Sequence, residues 1–241
     1  MRIVTWNLKH GTGSALWPRL QASLGAELVL LQEARRPDWR GARAWESVEH
    51  RDWGSAVLAI RGELRAIPIP GYDGWVVGGE LIDSGLNSPD RSLFAFSVHA
   101  PTGNPGRPRR SYIDEVVNVL DLIGQVLPTN AELVVGGDFN FKSLGHRREG
   151  EVFDTTSSER DALERFAGMG LVSCWAVSHP ERGLAQTLRW SGDKTPDKST
   201  PYHCDAIFVP SSWQPGISCE VLTSTCFEVS DHYPVATWIS R

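Results

Sequence analysis

Short runs of apolar residues, each about the length of a β-strand, recur along the whole chain. They are rich in Val, Ile and Leu, and they are bounded by Gly, Pro, Asn, Asp or Ser, which favour turns. Seven such runs are predicted strands: Arg2–Trp6, Glu27–Leu31, Ala56–Ile60, Leu93–Val98, Leu133–Val135, Ala206–Val209 and Val235–Ile239. Strands therefore dominate the predicted secondary structure.

Apolar residues at helical spacing predict three helices between these strands. The first follows Ser14 as N-cap and ends at Gly25, and the second begins near Ser111 and ends before Pro128. A weaker pattern predicts a third helix over residues 158–166.

The first two predicted helices are each followed by a buried strand that ends in an acid. The strand after the first helix reads ELVLLQE, residues 27–33, and the strand after the second reads ELVVGGD, residues 132–138. This repetition predicts two similar halves packed together. Since strands outnumber helices and the C-terminal third has few helices, we expect a two-sheet α+β sandwich with helices outside rather than a doubly wound parallel sheet.

Strongly polar residues lie at the ends of six predicted strands. Four strands lead into such a residue and two begin after one; these residues are Asn7, Glu33, His99, Asp138 with Asn140, Asp205, and Asp231 with His232. If the last two strands run antiparallel to the others, all six ends meet at one rim of the sandwich. Each residue alone has an ordinary structural explanation, such as a turn or a strand cap, but one functional site explains all of them together.

The residue types at this rim match the requirements of phosphate ester hydrolysis. Four of them offer hard oxygen ligands: Asn7, Glu33, Asp138 and Asp231. Because this set contains no soft ligand, it favours Mg²⁺ or Mn²⁺ over zinc or copper. Hydrolysis also needs an oriented water molecule and stabilisation of developing charge, and a histidine held by a carboxylate can supply proton transfer or positioning.

Composition and charge argue against several other classes of protein. The 241 residues carry 24 basic and 29 acidic side chains, a net charge of −5, which argues against a wholly basic nucleic-acid coat. The four cysteines form no CxxC pair, so we expect reduced, buried thiols rather than a zinc site. With no apolar run of membrane-spanning length and no secretory signal, we expect a cytoplasmic protein without a membrane partner. The absence of a linker predicts a single domain over residues 1–241.

Short motifs occur at the six strand ends in a fixed order. They are Thr5-Trp6-Asn7, Leu31-Gln32-Glu33, Val98-His99, Gly137-Asp138-Phe139-Asn140, Asp205–Val209 and Ser230–Val235. This series closely resembles the endonuclease/exonuclease/phosphatase superfamily, which has the deoxyribonuclease I-like fold, and the resemblance spans residues 3–239. It implies a four-layer α/β/β/α sandwich of two mixed, mainly antiparallel sheets with outer helices, and a metal-dependent phosphodiesterase activity.

The resemblance also implies which residues hold the metal and which form a catalytic pair. Glu33 and Asn7 would hold Mg²⁺, for which Mn²⁺ would substitute, with Asp231 nearby, directly or through water. His232, oriented by Asp205, would act as general base or position the phosphate.

Three further roles follow from the same resemblance. Asp138 would orient the attacking water, and Asn140 would bind a phosphoryl oxygen. His99 would stabilise charge on the transferring phosphate or assist the leaving group. Water would attack in line, without a covalent enzyme intermediate.

Several positions depart from the exonuclease III-type pattern within this superfamily. Lys9 stands where those enzymes carry an acid, and His99 stands where they carry Tyr. Their Arg before the Asp205 position is replaced by His203-Cys204, and the aromatic residue after it by Ala206. These departures argue against an abasic-site repair enzyme, and His99 points towards deoxyribonuclease I-like or phosphatase-like members.

Two groups of arginines follow site strands and are candidates for binding neighbouring phosphates of a polymeric substrate. They are Arg107, Arg109 and Arg110 after the fourth strand, and Arg147 and Arg148 after the fifth. A solvated loop surface explains them equally well. Three tryptophans after Glu33, namely Trp39, Trp45 and Trp53, are candidates for stacking on bases, although packing under a loop explains them more simply.

These observations lead to one leading hypothesis and two alternatives. The leading hypothesis is a monomeric, divalent-metal-dependent phosphodiester hydrolase acting on nucleic acid, and most directly a DNA or RNA endonuclease. The first alternative is a phosphohydrolase of a small-molecule or lipid phosphate ester. The second is a non-catalytic nucleic-acid-binding module, which the competent residue at every site position argues against.

Overall fold

Two six-stranded sheets are the main elements of the computed structural model. It describes residues 1–11, 22, 25–39, 41–86, 90–101, 111–141, 157–190, 200–223 and 230–240. All seven predicted strands are confirmed, and so are the second and third predicted helices. The first predicted helix, between Ser14 and Gly25, falls almost entirely outside the described residues.

The first sheet combines strands from both ends of the chain. Its strands are β1 (Arg2–Asn7), β2 (Leu28–Arg35), β3 (Ala42–Ser47), β4 (Trp53–Ala59), β13 (Ile217–Val221) and β14 (Val235–Ile239). They lie in the order β13-β14-β1-β2-β4-β3. β1 and β2 are parallel, and the other neighbours pair antiparallel.

The second sheet contains the middle of the chain. Its strands are β5 (Glu63–Ala66), β6 (Val76–Ile82), β7 (Leu93–His99), β8 (Glu132–Asp138), β9 (Leu171–Ser173) and β12 (Asp205–Pro210). They lie in the order β5-β6-β7-β8-β12-β9, and β7 and β8 form the parallel pair. Each sheet therefore has one central parallel pair, which agrees with the prediction of two similar halves.

The remaining elements are a small strand pair and short helices. β10 (Leu188–Trp190) and β11 (Thr200–Tyr202) pair antiparallel, and Leu188 also forms a bridge with His232. The helices are α1 (Tyr112–Val126), α2 (Ser157–Gly168), α3 (Cys174–Ser178) and a 3₁₀ turn over Ser211–Gly216. None of the helices in the described ranges is both long and apolar enough to cross a membrane.

Side chains from both sheets form a continuous core between them, which confirms the two-sheet α+β sandwich. Its buried members include Leu28, Leu30 and Val57 from the first sheet and Ala95, Val134 and Ile207 from the second. Cys174, Cys204 and Cys219 are free and buried, as expected for reduced thiols, while Cys226 lies outside the described residues. The burial of apolar surface in this layer is the main stabilising term of the fold.

Helices α1 and α2 cover the outer face of the second sheet. Ser111 caps α1 through a capping box with Asp114, as the sequence predicts for a helix start there. From α2, Phe166 stacks on Phe208 of β12 with 3.6 Å between ring centroids. Both rings make edge contacts with Phe139, the residue directly after β8. This aromatic packing anchors the segment that carries Asp138.

Two glycines allow β8 to approach its neighbours closely. A Cβ at Gly137 would lie 1.8 Å from the Val98 carbonyl oxygen of β7, and one at Gly136 would lie 2.7 Å from Leu30 Cδ1 of the opposite sheet. Neither strand nor core has room for a side chain at these positions. The close packing brings the C-terminal end of β8 against the first sheet.

Candidate active site

Five strand ends and a bulge within a sixth strand bring the predicted polar residues to one rim of the sandwich. Because β1 runs parallel to β2 and β7 runs parallel to β8, Asn7 is level with Gln32 and His99 is level with Asp138. β12 runs antiparallel to β8 and begins at Asp205, directly opposite Asp138. Asn7 Nδ2 lies 2.9 Å from Asp138 Oδ2, so the two sheets contact each other through their polar ends.

Glu33 differs from the prediction, because it lies within β2 rather than after its end. The strand continues to Arg35 through a β-bulge between Leu31 and Ala34, and Glu33 has a left-handed φ of 48°. A bulge redirects one side chain while the strand goes on. At this bulge, the Glu33 carboxylate lies 3.1 Å from Asn7 Nδ2 and 3.5 Å from His99 Nε2.

Asp138 is buried and held by two hydrogen-bond donors. Asn7 Nδ2 donates to its Oδ2, and the backbone N–H of Asn140 donates to its Oδ1 at 3.0 Å. Asn140 has a left-handed φ of 51°, and its side-chain Nδ2 donates to the Ala100 carbonyl at 3.3 Å. The carboxylate therefore has a fixed orientation at the rim.

Asp205 and His232 form a buried pair beside Asp138. His232 Nδ1 lies 2.9 Å from Asp205 Oδ2, and its Nε2 lies 3.8 Å from Asp138 Oδ2. Burial alone would lower the pKa of His232, but the attraction of Asp205, with Asp138 and Asp231, outweighs burial and raises it. The imidazole is therefore protonated at neutral pH in this arrangement.

Backbone and side-chain contacts fix both members of this pair. The Thr187 hydroxyl accepts hydrogen bonds from the backbone N–H groups of Cys204 and Asp205, at 2.9 and 3.1 Å. Trp6 Nε1 donates to the carbonyl of His232 at 2.9 Å, and the backbone N–H of His232 donates to Ser230 Oγ at 3.1 Å. The pair is thus oriented by three different elements of the fold.

His99 ends β7, which borders β8 on the side away from β12, and it has a different charge state. Burial lowers its pKa more than the nearby Asp138 and Glu33 carboxylates raise it, so the ring is neutral at neutral pH. The two buried histidines of the site therefore differ in charge: His232 is cationic and His99 is neutral.

An aromatic row extends outwards from His99. Trp75 and His99 have ring centroids 5.1 Å apart, Trp53 meets Trp75 edge-on at 5.8 Å, and His10 stacks on Trp53 at 4.6 Å. Both tryptophans are half-buried, and His10 is exposed. Among the three tryptophans singled out in the sequence, Trp53 belongs to this row. Trp39 and Trp45 donate their indole N–H groups to the Ala59 and Ala34 carbonyls.

Two side chains from the turn after β1 contact the outer carboxylates. Lys9 Nζ lies 2.5 Å from Asp231 Oδ2, and His10 Nε2 lies 2.6 Å from Glu33 Oε2. The sequence patterns did not identify His10 or Trp75 as site residues, because neither lies at a predicted strand end. Their positions depend on the turn after β1 and on an unpredicted strand, β6.

One cluster and two further carboxylates have the chemistry to hold a divalent ion. Asp138, Asp205 and His232 bring one ligand atom each within 4.8 Å of one another. However, Nδ1 of His232 is hydrogen-bonded to Asp205, and a protonated imidazole has no lone pair to offer a metal. Glu33 and Asp231 each offer carboxylate oxygens, which suit a hard cation such as Mg²⁺, and each already contacts a nitrogen, from His10 and Lys9 respectively.

Asn7 directs its amide nitrogen, not its amide oxygen, at Glu33. Its Oδ1 accepts a hydrogen bond from the backbone N–H of Lys9 at 2.9 Å, which fixes the orientation of the amide. Asn7 therefore acts here as the donor that joins Glu33 and Asp138, and its role as a metal ligand stays a prediction.

The predicted phosphate-binding arginines lie outside the described residues. These are Arg107, Arg109, Arg110, Arg147 and Arg148. Their role likewise stays a prediction.

Solved structures show that the chain has the deoxyribonuclease I-like fold. It aligns over its full length with 98% of the endonuclease domain of TRAS1, a telomere-specific non-LTR retrotransposon, at 18% identity and a TM-score of 0.63. It also covers all of the 3′ phosphatase NExo from Neisseria bound to product DNA hairpin, at 16% identity and a TM-score of 0.70. A third similar structure is an AP endonuclease from Archaeoglobus fulgidus, with 100% of both chains covered, 12% identity and a TM-score of 0.68.

Comparison of the sequence with protein families and with curated proteins identifies no further relative. No protein-family model matches the chain, and no curated protein matches it. At 12 to 18% identity, the structural likeness shows the fold alone. Function must therefore be argued from the site itself.

Proposed function

We propose that this chain is a divalent-metal-dependent phosphodiester hydrolase that cleaves nucleic acid, and most directly an endonuclease. The observation that carries the proposal is the arrangement around Asp138. This buried carboxylate lies 3.8 Å from Nε2 of a cationic histidine, His232, and level with a neutral one, His99, on the neighbouring strand. Asn7 Nδ2 joins it to the Glu33 carboxylate. Such a concentration of ionisable groups is costly to a fold and is typical of an active site.

The metal is Mg²⁺ in this proposal, with Mn²⁺ able to replace it. Glu33 and Asn7 would hold it, with Asp231 nearby, directly or through water. When bound, the ion supplies a Lewis acid for an oxygen of the scissile phosphate.

Asp138 orients the attacking water molecule. Its two oxygens are fixed by donors from Asn7 and Asn140, so it can accept a hydrogen bond from water in a defined direction. A held carboxylate of this kind contributes both positioning and proton acceptance. Water then attacks the phosphorus in line and gives a proton to Asp138, while the bond between phosphorus and the leaving oxygen breaks; no covalent enzyme intermediate forms.

His232 and His99 divide the work of charge stabilisation. Because Asp205 keeps His232 cationic, we assign it to bind a phosphoryl oxygen rather than to act as the general base. His99 is neutral and buried, so its ring N–H can donate a hydrogen bond to the phosphate or the leaving group without adding charge to the site. Asn140 is the remaining side chain assigned to a phosphoryl oxygen.

Nucleic acid is favoured over a lipid or a small phosphate ester by the aromatic row. His10, Trp53 and Trp75 lead from the site towards solvent, and rings in such a position can stack on bases. The similar structures named above include two endonucleases and a phosphatase bound to a DNA hairpin.

The first experiment measures nicking of supercoiled plasmid with Mg²⁺, with Mn²⁺ and with EDTA. Wild type is compared with Asp138→Asn, which keeps the shape of the side chain, and with Asp161→Asn, a matched change on the exposed face of α2. We expect metal-dependent nicking that falls by about 10³-fold in Asp138→Asn and is unchanged in Asp161→Asn. Equal nicking by the Asp138 variant would refute the assigned site.

Other outcomes separate the alternatives. If no metal supports nicking but phosphate is released from small or lipid phosphate esters, the second hypothesis replaces the first. If DNA binds without turnover in any condition, the chain is a binding module.

A second experiment tests the aromatic row as a binding surface for bases. Trp53→Leu removes the ring and Trp53→Phe keeps one. We expect Trp53→Leu to weaken the binding of a short oligonucleotide about fivefold or more, since a stacked base contributes roughly 1–3 kcal/mol. Trp53→Leu should not change the affinity for an abasic oligomer of equal length, which has the same phosphates but no bases. An equal loss of affinity for both oligomers would contradict stacking.

The arginine groups are tested by salt dependence. If Arg109 and Arg110 bind phosphates, replacing both with Ala should weaken cleavage and reduce its sensitivity to salt. An unchanged salt dependence would argue against their contact with a polyanion.

A further inference from the structure

The turn after β1 carries a lysine whose ammonium group lies on a carboxylate of the candidate metal site. Lys9 Nζ lies 2.5 Å from Asp231 Oδ2, and the two side chains are 58% and 29% exposed. Asp231 is half-buried at the rim, directly before His232. The Lys9 side chain therefore forms an ion pair with one of the two outer carboxylates of the site.

The backbone around Lys9 is fixed by several hydrogen bonds. Its own N–H donates to Asn7 Oδ1, the N–H of His10 donates to the Glu33 carbonyl at 2.9 Å, and the N–H of Gly11 closes the turn on the Leu8 carbonyl at 2.7 Å. Lys9 and His10 also have left-handed φ values of 46° and 61°, which are uncommon for residues with a side chain. A turn held in this conformation keeps Lys9 next to Asp231.

We propose that the Lys9 ammonium takes the cation position at Asp231, so that the chain holds a single divalent ion, on the Glu33 side. The inference rests on the proposed function, because it concerns the metal of that same site. A divalent ion shared by Glu33 and Asp231 would have to displace Lys9 or bear its repulsion at short range. An ion held on the Glu33 side, without direct contact with Asp231, avoids this repulsion, and Lys9 keeps its ion pair with Asp231.

Binding of Mn²⁺ measured by electron paramagnetic resonance tests this without relying on activity. Four proteins are titrated: wild type, Lys9→Met, the double variant Lys9→Met with Asp231→Asn, and Arg36→Met. The last removes an exposed positive charge from the segment after β2. Trp fluorescence and circular dichroism confirm that each protein is folded.

Wild type should bind one Mn²⁺ per chain, and Arg36→Met should match it. Lys9→Met should bind Mn²⁺ about tenfold more tightly, because Asp231 becomes available and a nearby positive charge is lost. The gain should disappear in the double variant, which shows that it depends on Asp231.

Two results would overturn the inference while leaving the proposed function intact. One is an unchanged Mn²⁺ affinity in Lys9→Met, and the other is two Mn²⁺ ions of similar affinity in wild type. If none of the four proteins binds Mn²⁺, the metal-dependent function itself fails, and the role of Lys9 fails with it.

Discussion

Replacing His232 with Ala should destabilise the fold as well as abolish catalysis, because it leaves a buried carboxylate without its partner. Asp205 is 0% exposed, and its Oδ2 accepts the hydrogen bond from His232 Nδ1 at 2.9 Å. Its Oδ1 has no hydrogen-bond partner among the described residues. The imidazole is therefore the principal counter-charge of Asp205.

The size of the effect follows from this geometry. Opposite unit charges 2.9 Å apart attract by about 6 kcal/mol at an effective dielectric constant of about 20. The substitution also removes the desolvation penalty of the buried imidazolium, so the net loss of stability is smaller than this attraction. Breaking a buried pair by removing one partner typically costs about 3–5 kcal/mol, and we expect His232→Ala to fall in this range.

The same geometry predicts how the loss depends on pH. Burial raises the pKa of Asp205, and the charge and hydrogen bond of His232 oppose this rise. Without His232, the folded-state pKa of Asp205 moves further above its unfolded value of about 4. A raised folded-state pKa gives a penalty that is absent below about pH 4 and grows as pH rises towards that pKa. Adding Asp205→Asn to His232→Ala should therefore restore more stability at pH 8 than at pH 5.

Urea unfolding followed by Trp fluorescence measures these free energies of unfolding. Wild type, both single variants and the double variant form a double-mutant cycle at each pH, with an expected coupling of about 2 kcal/mol or more. If His232→Ala costs under about 1 kcal/mol, or if the two substitutions are additive, Asp205 is not a buried charge that depends on His232.

Three further predictions concern strand packing, a buried histidine and the metal site. Gly137→Ala should lower the free energy of unfolding by about 3 kcal/mol or more, because its Cβ would lie 1.8 Å from the Val98 carbonyl oxygen. As a control, Gly168→Ala on α2 places its Cβ within 4 Å of no other atom, so the free energy of unfolding should not fall. Burial lowers the pKa of His203 to about 4, so stability should fall by about 3 kcal/mol between pH 6.5 and pH 4 as the unfolded chain binds the extra proton. The His203→Gln variant should lack this part of the acid sensitivity in urea unfolding, and an identical pH profile would contradict it. Glu33→Gln should raise the Mg²⁺ concentration needed for half-maximal nicking, and an unchanged requirement would remove Glu33 from the metal site.

Periodicity predicts the buried strands of this fold because their apolar runs are long. β7 and β8 are buried at every position, and both were predicted. β3, with the sequence ARAWES, and β5, with ELRA, are edge strands of mixed polarity and carry no such signal. Their formation depends on the neighbours β4 and β6, which supply backbone hydrogen bonds that no local pattern reveals.

The sequence predicts which strand ends carry the residues of the candidate site, but not the side-chain contacts that join those residues. Asp138 and Asp205 follow from their positions next to apolar runs, and their opposition follows from the antiparallel pairing of β8 and β12. The pairing of Lys9 with Asp231 joins residues 222 positions apart and depends on a left-handed turn. Likewise, only the packing of β4 against the second sheet shows that Trp53, and neither Trp39 nor Trp45, meets Trp75 and His99.

The contacts of the four site carboxylates explain how so much negative charge is tolerated at one rim. Each has a donor of its own within the chain, and the pairs are Glu33 with His10, Asp138 with Asn7, Asp205 with His232, and Asp231 with Lys9. Unpaired carboxylates in such close proximity would repel one another and favour protonation. Because side chains of the same fold supply the compensating donors, the site can be preorganised by the chain itself. The cost of orienting these groups is then met on folding rather than at the moment of reaction, which is what electrostatic catalysis requires.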